Sequence, residues 1–327
     1  MLSFATIVYS RDFPLLELQA LSMARFVPLE QVASISVIMN DADEPKLHPQ
    51  IEALLPAYGA LQEKVRVLGG DHLLLSNQHT TSPRLAEQMY VDHRYRIPFV
   101  RRQGWRGNNG YRLQQALKLA SARCAGSDNI VLLDTKNVFL RPVCVLDFFS
   151  EDGRGRLSFL PPKAAFHRNW LAQSLSALEM ETSVDDISET TTFATPYPVN
   201  RAIMTGLLDE IDQRYGSVQA LFASKRRPSE FMLINAYCFK HLGGPEMCFE
   251  RSDPVNIGLW PDHSASMTDT ELDRLKLPEA FSLGLHNRAV GQWSPDQRSK
   301  LFDAFAARSI CSQKTAERVL LRTSELS

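Results

Sequence analysis

The sequence predicts an α/β fold, with a mostly parallel central sheet flanked by helices. Three observations carry that prediction. Apolar segments of strand length alternate with amphipathic helical segments from the amino terminus to Leu133, the order of a parallel sheet built from right-handed crossovers. Ile130-Val131-Leu132-Leu133 is an unbroken aliphatic run without polar alternation, so both of its faces should be buried. Polarity then returns abruptly at Asp134-Thr135-Lys136-Asn137, at the carboxyl end of a strand, where open α/β sheets bind their ligands.

The elements follow in order. Phe4 to Ser10 reads as the first strand and Arg11-Asp12 as a polar corner. Phe13 to Phe26 repeats apolar residues at helical spacing through Leu15, Leu18 and Leu21. Ser34 to Met39 is a second strand with an acidic exit through Asp41, Asp43 and Glu44; a helix from Pro49 to Tyr58 and a strand from Lys64 to Leu68 follow. Periodicity is lost from Gly69 to Arg106, where His72, His79 and His93 are too scattered for a metal site. Arg94, Arg96, Arg101 and Arg102 in the same stretch suit an anionic ligand or a solvated loop. A glycine- and asparagine-rich approach, Gly104 to Gly110, leads into a helix from Tyr111 to Cys124, on which Leu113, Ala116, Leu117 and Ala120 form the apolar stripe. Gln114 and Lys118 share another face, with Gln115 adjacent.

Beyond the strand ending in Asp134, Val138-Phe139-Leu140 is apolar again and stops at Arg141-Pro142, which pins the four polar residues between buried segments. Leu157 to Leu160 reads as one strand and Phe166 to Leu178 as a helix; Glu179 to Thr195 is an acidic, threonine-rich loop. Pro196-Tyr197-Pro198 is expected to open a helix from Val199 to Tyr215. Ser229 is a natural N-cap for a helix through Lys240, with Glu230 in its first turn. Extended pieces surround Phe249 to Trp260, and Phe281 to Leu285 is a late strand ending at His286 and Arg288. Ser294-Pro295 opens a terminal amphipathic helix. Lys314, Arg318 and Arg322 recur every four residues beside Val319 and Leu320, a face for solvent, a partner or a membrane surface.

Composition narrows the function classes. A chain of 327 residues, 44% hydrophobic, can bury a large core as one large or two small domains. A net charge of -1 argues against a nucleic-acid partner. Cys124, Cys144, Cys238, Cys248 and Cys311 are widely spaced with no Cys-x-x-Cys pair, which indicates reduced thiols rather than a zinc site or a disulfide framework. No run of eighteen apolar residues and no basic leader is present. A cytoplasmic protein is expected, with at most peripheral contact to the inner membrane.

Leu132-Leu133-Asp134-Thr135-Lys136-Asn137 through Pro142 resembles the segment of GT-A-type nucleotide-sugar glycosyltransferases in which a buried strand ends in Asp-x-Asp, with Lys136 at the second acidic position. Thr6 to Asp12 is similar to their nucleotide-binding first strand, and Gly104-Trp105 followed by Gln114-Gln115-x-x-Lys118 to a second element of the bacterial GT-A-like family (DUF6492-like). The resemblance implies a GT-A-like (Rossmann-like) fold. It implies a donor half over residues 1–145, an acceptor-side half over 146–308 and a basic C-terminal helix over 309–327. It further implies that Tyr9, Ser10, Asp12, Gln115, Lys118, His286 and Arg288 contact the nucleotide-sugar donor. Glu230, in a Ser-Glu pair that resembles the acceptor-side element, would take the proton of the acceptor hydroxyl.

For the diphosphate, two pictures fit. Either Lys136 and Lys118 neutralise it and Asp134 binds ribose or sugar hydroxyls, so that Lys136 stands in for a metal, or Asp134 and His286 hold Mg²⁺ or Mn²⁺. The expected activity is transfer of a sugar to a glycan or lipid-linked acceptor, in surface polysaccharide synthesis. The alternatives are a catalytically silent nucleotide- or glycan-binding protein of the same fold and a metal-dependent nucleotidyltransferase or phosphoesterase using Asp134 with Asp41 or Asp43. Against the last, no glycine-rich phosphate loop with Lys and Ser/Thr is present.

Overall fold

The computed structural model describes residues 1–41, 43–75, 110–224 and 226–326. His79, His93, the arginines from 94 to 102 and the loop from Gly104 to Asn109 therefore lie outside the described residues. The strands are β1 (Leu2–Val8), β2 (Val32–Met39), β3 (Val65–Gly69), β4 (Asn129–Asp134), β5 (Asn137–Phe139), β6 (Gly155–Leu157), β7 (Phe159–Leu160), β8 (Thr190–Thr191), β9 (Tyr197–Asn200), β10 (Phe249–Arg251), β11 (Val255–Leu259) and β12 (Ala280–Leu285). The helices are α1 (Phe13–Phe26), α2 (Glu44–Leu54), α3 (Gly70–Leu75), α4 (Gly110–Ala120), α5 (Val145–Phe148), α6 (Ala165–Ala177) and α7 (Arg201–Tyr215). They continue as α8 (Val218–Ala223), α9 (Glu230–His241), α10 (Pro245–Cys248), α11 (Ala265–Arg274), α12 (Asn287–Val290), α13 (Pro295–Ala307) and α14 (Gln313–Leu326).

Every residue of β1 is buried, as is β4 from Ile130 onward, because both strands lie in the middle of a helix-covered sheet in the order β3-β2-β1-β4-β9. The first four strands are parallel, in the Rossmann-like order 3-2-1-4. That order changes direction between β1 and β4, so their carboxyl ends, in register at Ile7 and Asp134, bound a crevice. Strand alternation splits the core between the two faces. Phe4, Val8, Val131 and Leu133 pack under α1, α13 and α14, whereas Ala5, Ile7, Ile130 and Leu132 pack under α4, α6, α7 and α9. A second sheet, β11-β12-β5, continues from the first through the turn after Asp134.

Several expectations are corrected. Tyr197–Asn200 is not the start of a helix but an antiparallel edge strand on β4; Pro198 lacks an N–H, which an edge position tolerates, and Asn200 instead caps α7 by accepting from the Ala202 N–H. The stretch expected as one strand divides at Ser158, because β6 pairs with β10 and β7 with β8. The second helix begins earlier than expected, at Glu44, and passes into 3-10 turns from Leu55 to Lys64. The stretch after Gly69 begins with the helix α3. The apolar face of α14, Ala316, Val319 and Leu320, is buried in the core, and Arg318 pairs with Glu17 of α1. No described helix is long and apolar enough to cross a membrane.

Candidate active site

The turn after β4 is built before it can bind anything. Asn137 Oδ1 accepts the Asp134 N–H (2.7 Å), and Asn137 Nδ2 donates to the Thr195 carbonyl (3.1 Å). Gln19, fully buried on α1, donates to the Asp134 carbonyl (2.7 Å) and accepts from the Thr6 hydroxyl (2.9 Å). Buried backbone polar groups are thus satisfied by side chains from both neighbouring elements, and the Asp134 carboxylate is aimed at the crevice between β1 and β4.

Four donors converge on that carboxylate. Asp134 Oδ1 accepts from Lys118 Nζ (2.8 Å) and Gln114 Nε2 (2.8 Å); Oδ2 accepts from Lys136 Nζ (2.9 Å) and the Thr195 hydroxyl (3.1 Å). Burial alone would raise its pKa, but the two ammonium groups outweigh burial and hold the carboxyl well below the usual range. Lys118, 4% exposed, also donates to Glu230 Oε1 (3.1 Å) and lies 5.0 Å from the centroid of the Phe231 ring. Burial would lower its pKa, yet Asp134 and Glu230 together raise it. Glu230 opens α9 behind the Ser229 cap, and its backbone N–H donates to Gln115 Oε1 (3.3 Å). Its other carboxylate oxygen has no partner among the described residues, and Glu230 lines the cleft.

The second sheet brings the opposite wall. β12 pairs antiparallel with β5, and the Leu285 N–H donates to the Lys136 carbonyl (3.0 Å), which sets His286 beside the turn. Trp260, following β11, stacks in the same place: Lys136 Nζ is 4.9 Å from its ring centroid and the His286 ring 5.9 Å from it. Burial, with Lys136 and Arg288, lowers the His286 pKa and so disfavours the charged ring. Its Nδ1 accepts the Arg288 N–H (3.2 Å). Asp12 accepts from Asn287 Nδ2 (2.7 Å), and burial raises its pKa to about 6.

The result is a cleft of about 480 Å³ lined by Tyr9, Asp12, Gln115, Lys118, Asp134, Lys136, Glu230, His286 and Arg288 among others, a volume suited to a cofactor-sized ligand. Nine sequence-predicted residues, scattered from position 9 to 288, are therefore gathered in one place. Ser10 is not; its backbone N–H is turned to Asp41 Oδ2 (3.0 Å) and it does not line the cleft. Asp41 is engaged there and with the Asp43 N–H, away from the cleft lining, so neither shares a site with Asp134. Sequence reasoning placed Gln114 on the face of Lys118 without giving it a role, and missed Thr195, Trp260 and Asn287. Trp260 and Asn287 carried the signal that exposed Asp134, a polar or aromatic residue just beyond a strand's carboxyl end; Thr195 carried none.

One of the two pictures places a divalent cation on Asp134 and His286, and the side chains present do not fit one. All the lone-pair positions of Asp134 are engaged by four hydrogen-bond donors, and a lysine occupies the second acidic position, where its ammonium would repel a cation. Among the described residues no three His, Cys, Asp or Glu side chains are grouped to hold a metal ion. The cleft offers instead four cationic side chains, Arg11, Lys118, Lys136 and Arg288, against the carboxyls of Asp12, Asp134 and Glu230.

No family model matches the chain, and no curated protein matches its sequence. Among solved structures it is similar to the apo form of mouse xyloside xylosyltransferase 1, with a TM-score of 0.40 and 12% identity, over 86% of this chain and 96% of that one.

Proposed function

We propose that the protein is a glycosyltransferase that binds the diphosphate of a nucleotide sugar with lysine side chains instead of a metal ion. The observation that carries this reading is the pair of ammonium groups, Lys118 and Lys136, held on one buried carboxylate at the carboxyl ends of β1 and β4. Asp134 sets their positions, so the cationic floor exists before the ligand arrives and no reorganisation is needed as charge builds on the leaving group. Arg288 and Arg11 extend that positive edge, and Tyr9 and Asp12 lie at the end of β1, where a base and ribose would rest. In this reading residues 1–145 form the donor side, 146–308 supply the acceptor side, and membership of the DUF6492-like bacterial family is part of the proposal.

The reaction follows from Glu230. An acceptor hydroxyl attacks the anomeric carbon, the bond from that carbon to the phosphate oxygen breaks, and the nucleotide departs onto Lys118 and Lys136. The hydroxyl proton passes to the free oxygen of Glu230. The acceptor is a glycan or a lipid-linked glycan, and the pathway surface polysaccharide synthesis.

A second reading is a binding protein of the same fold without turnover, favoured by Lys118, which engages Glu230 Oε1 in the free protein. The experiment is a thermal-shift screen against UDP-, GDP-, CMP- and dTDP-sugars with Mn²⁺ or with EDTA, followed by an assay for donor hydrolysis. A saturating ligand raises stability by about 2.7 kcal/mol at a hundred times its Kd. The expected result is a shift with one nucleotide class that survives EDTA, with slow release of free sugar. A shift that needs Mn²⁺ overturns the lysine assignment; a shift without hydrolysis selects the binding protein.

A further inference from the structure

Another wall of the cleft is aromatic and takes no part in the donor chemistry. Trp170 of α6 and Phe193, just beyond β8, line the cleft together with Glu230. Phe166 and His167 complete a cluster of four rings with centroids between 3.8 and 6.4 Å apart. The cluster leaves one ring open to solvent and one polar atom buried. Phe166 is 50% exposed, and His167 Nε2 is buried with no hydrogen-bond partner among the described residues. The wall is also rigidly tied to the catalytic side. The Thr191 N–H donates to Asn235 Oδ1 (2.9 Å) and Asn235 Nδ2 donates to the Thr191 hydroxyl (2.7 Å), so the segment bearing Phe193 is anchored on α9, the helix that begins with Glu230.

We propose that this wall is a carbohydrate acceptor subsite that seats a pyranose ring; as an acceptor site the assignment rests on the transferase reading above. A pyranose presents a face of C–H bonds, weakly positive, that packs on the negative π faces of aromatic rings. Its hydroxyl edge then meets polar groups. Here the polar group that faces the cleft is the free oxygen of Glu230. An alkyl chain on the same wall would leave the free oxygen of Glu230 desolvated and unpaired, which sets the sugar above the lipid portion of a lipid-linked acceptor as the occupant.

The test is saturation-transfer NMR on the intact protein with gluco-, galacto-, manno- and xylo-configured methyl pyranosides, and with octanol as the apolar probe. Trp170→Ala and Phe166→Ala serve as variants, and thermal shift with nucleotide sugars is read in parallel. At least one methyl pyranoside is expected to receive saturation at its ring C–H protons. Trp170→Ala should weaken it at least tenfold and the exposed Phe166→Ala severalfold, with nucleotide shifts unchanged. If no pyranoside binds, if both variants bind it as the wild type does, or if octanol binds and the sugars do not, the subsite is overturned. Failure of the donor reading is seen separately: pyranoside binding lost in Trp170→Ala, with no nucleotide shift in the wild type, leaves a sugar-binding wall and removes the transferase.

Discussion

Asp134 carries the counter-charge of two lysines, Lys118 and Lys136. Removing it leaves Lys118 buried with only Glu230 opposite, and a broken buried pair costs about 3–5 kcal/mol. Asp134→Asn is therefore expected to lower the urea midpoint sharply as well as abolish donor binding. Lys136, 23% exposed in its side chain, is the cleaner probe of function. Lys136→Met should weaken the nucleotide sugar at least tenfold in calorimetry while leaving the urea midpoint near that of the wild type; equal affinity would remove Lys136 from the donor site. Asp12 makes a prediction of opposite sign. Its pKa is raised from 3.8 to about 6 on folding, chiefly by burial, so its contribution favours the fold below pH 4 and is lost as pH rises through 6. Asp12→Asn escapes that loss. It should be more stable than the wild type by about 3 kcal/mol at pH 8, with the difference vanishing near pH 4, as urea titrations at both pH values would show.

At the scale of elements, the site depends on how α1 and α9 hold the strand ends. Gln19 reaches from α1 to the Asp134 carbonyl, and Gln19→Ala would strand buried backbone and hydroxyl groups at about 1–3 kcal/mol each; chemical denaturation should register that loss together with weaker donor binding. Ser229 and Glu230 separate capping from chemistry. Ser229 Oγ accepts the Met232 N–H (3.3 Å), so Ser229→Ala should cost about 1 kcal/mol and spare transfer. Glu230→Gln keeps the helix start and should abolish transfer with donor affinity retained. Transfer surviving in Glu230→Gln would exclude it as the base. Much of this element layer was legible beforehand, because buried strands, polar strand ends and the Ser229 cap are local patterns. The edge strand Tyr197–Asn200 was not, since Pro196 and Pro198 read as a helix start until β4 is seen to offer an open edge.

For the whole molecule, the two core layers on either face of the sheet each draw residues from both halves of the chain, as Val131 with Leu283 and Leu132 with Phe231 illustrate. The carboxyl-terminal helix closes one of these layers, so Leu320→Ala should destabilise the protein by about 2–5 kcal/mol, measured by thermal melting. A face reserved for a membrane would tolerate it. What the sequence determined by itself was the α/β class, the strand ending at Asp134 and nine of the residues that line the cleft, because alternation, burial and polar strand ends are written within a few neighbouring positions. Only the tertiary structure decided that Lys118, Lys136, Gln114 and Thr195 meet on one carboxylate, and that Trp260 and His286 stand beside Lys136. Those contacts join residues up to about 150 positions apart, and the pairing of β5 with β12 and of β4 with β9, which no local pattern encodes, is what brings them within hydrogen-bonding or stacking range.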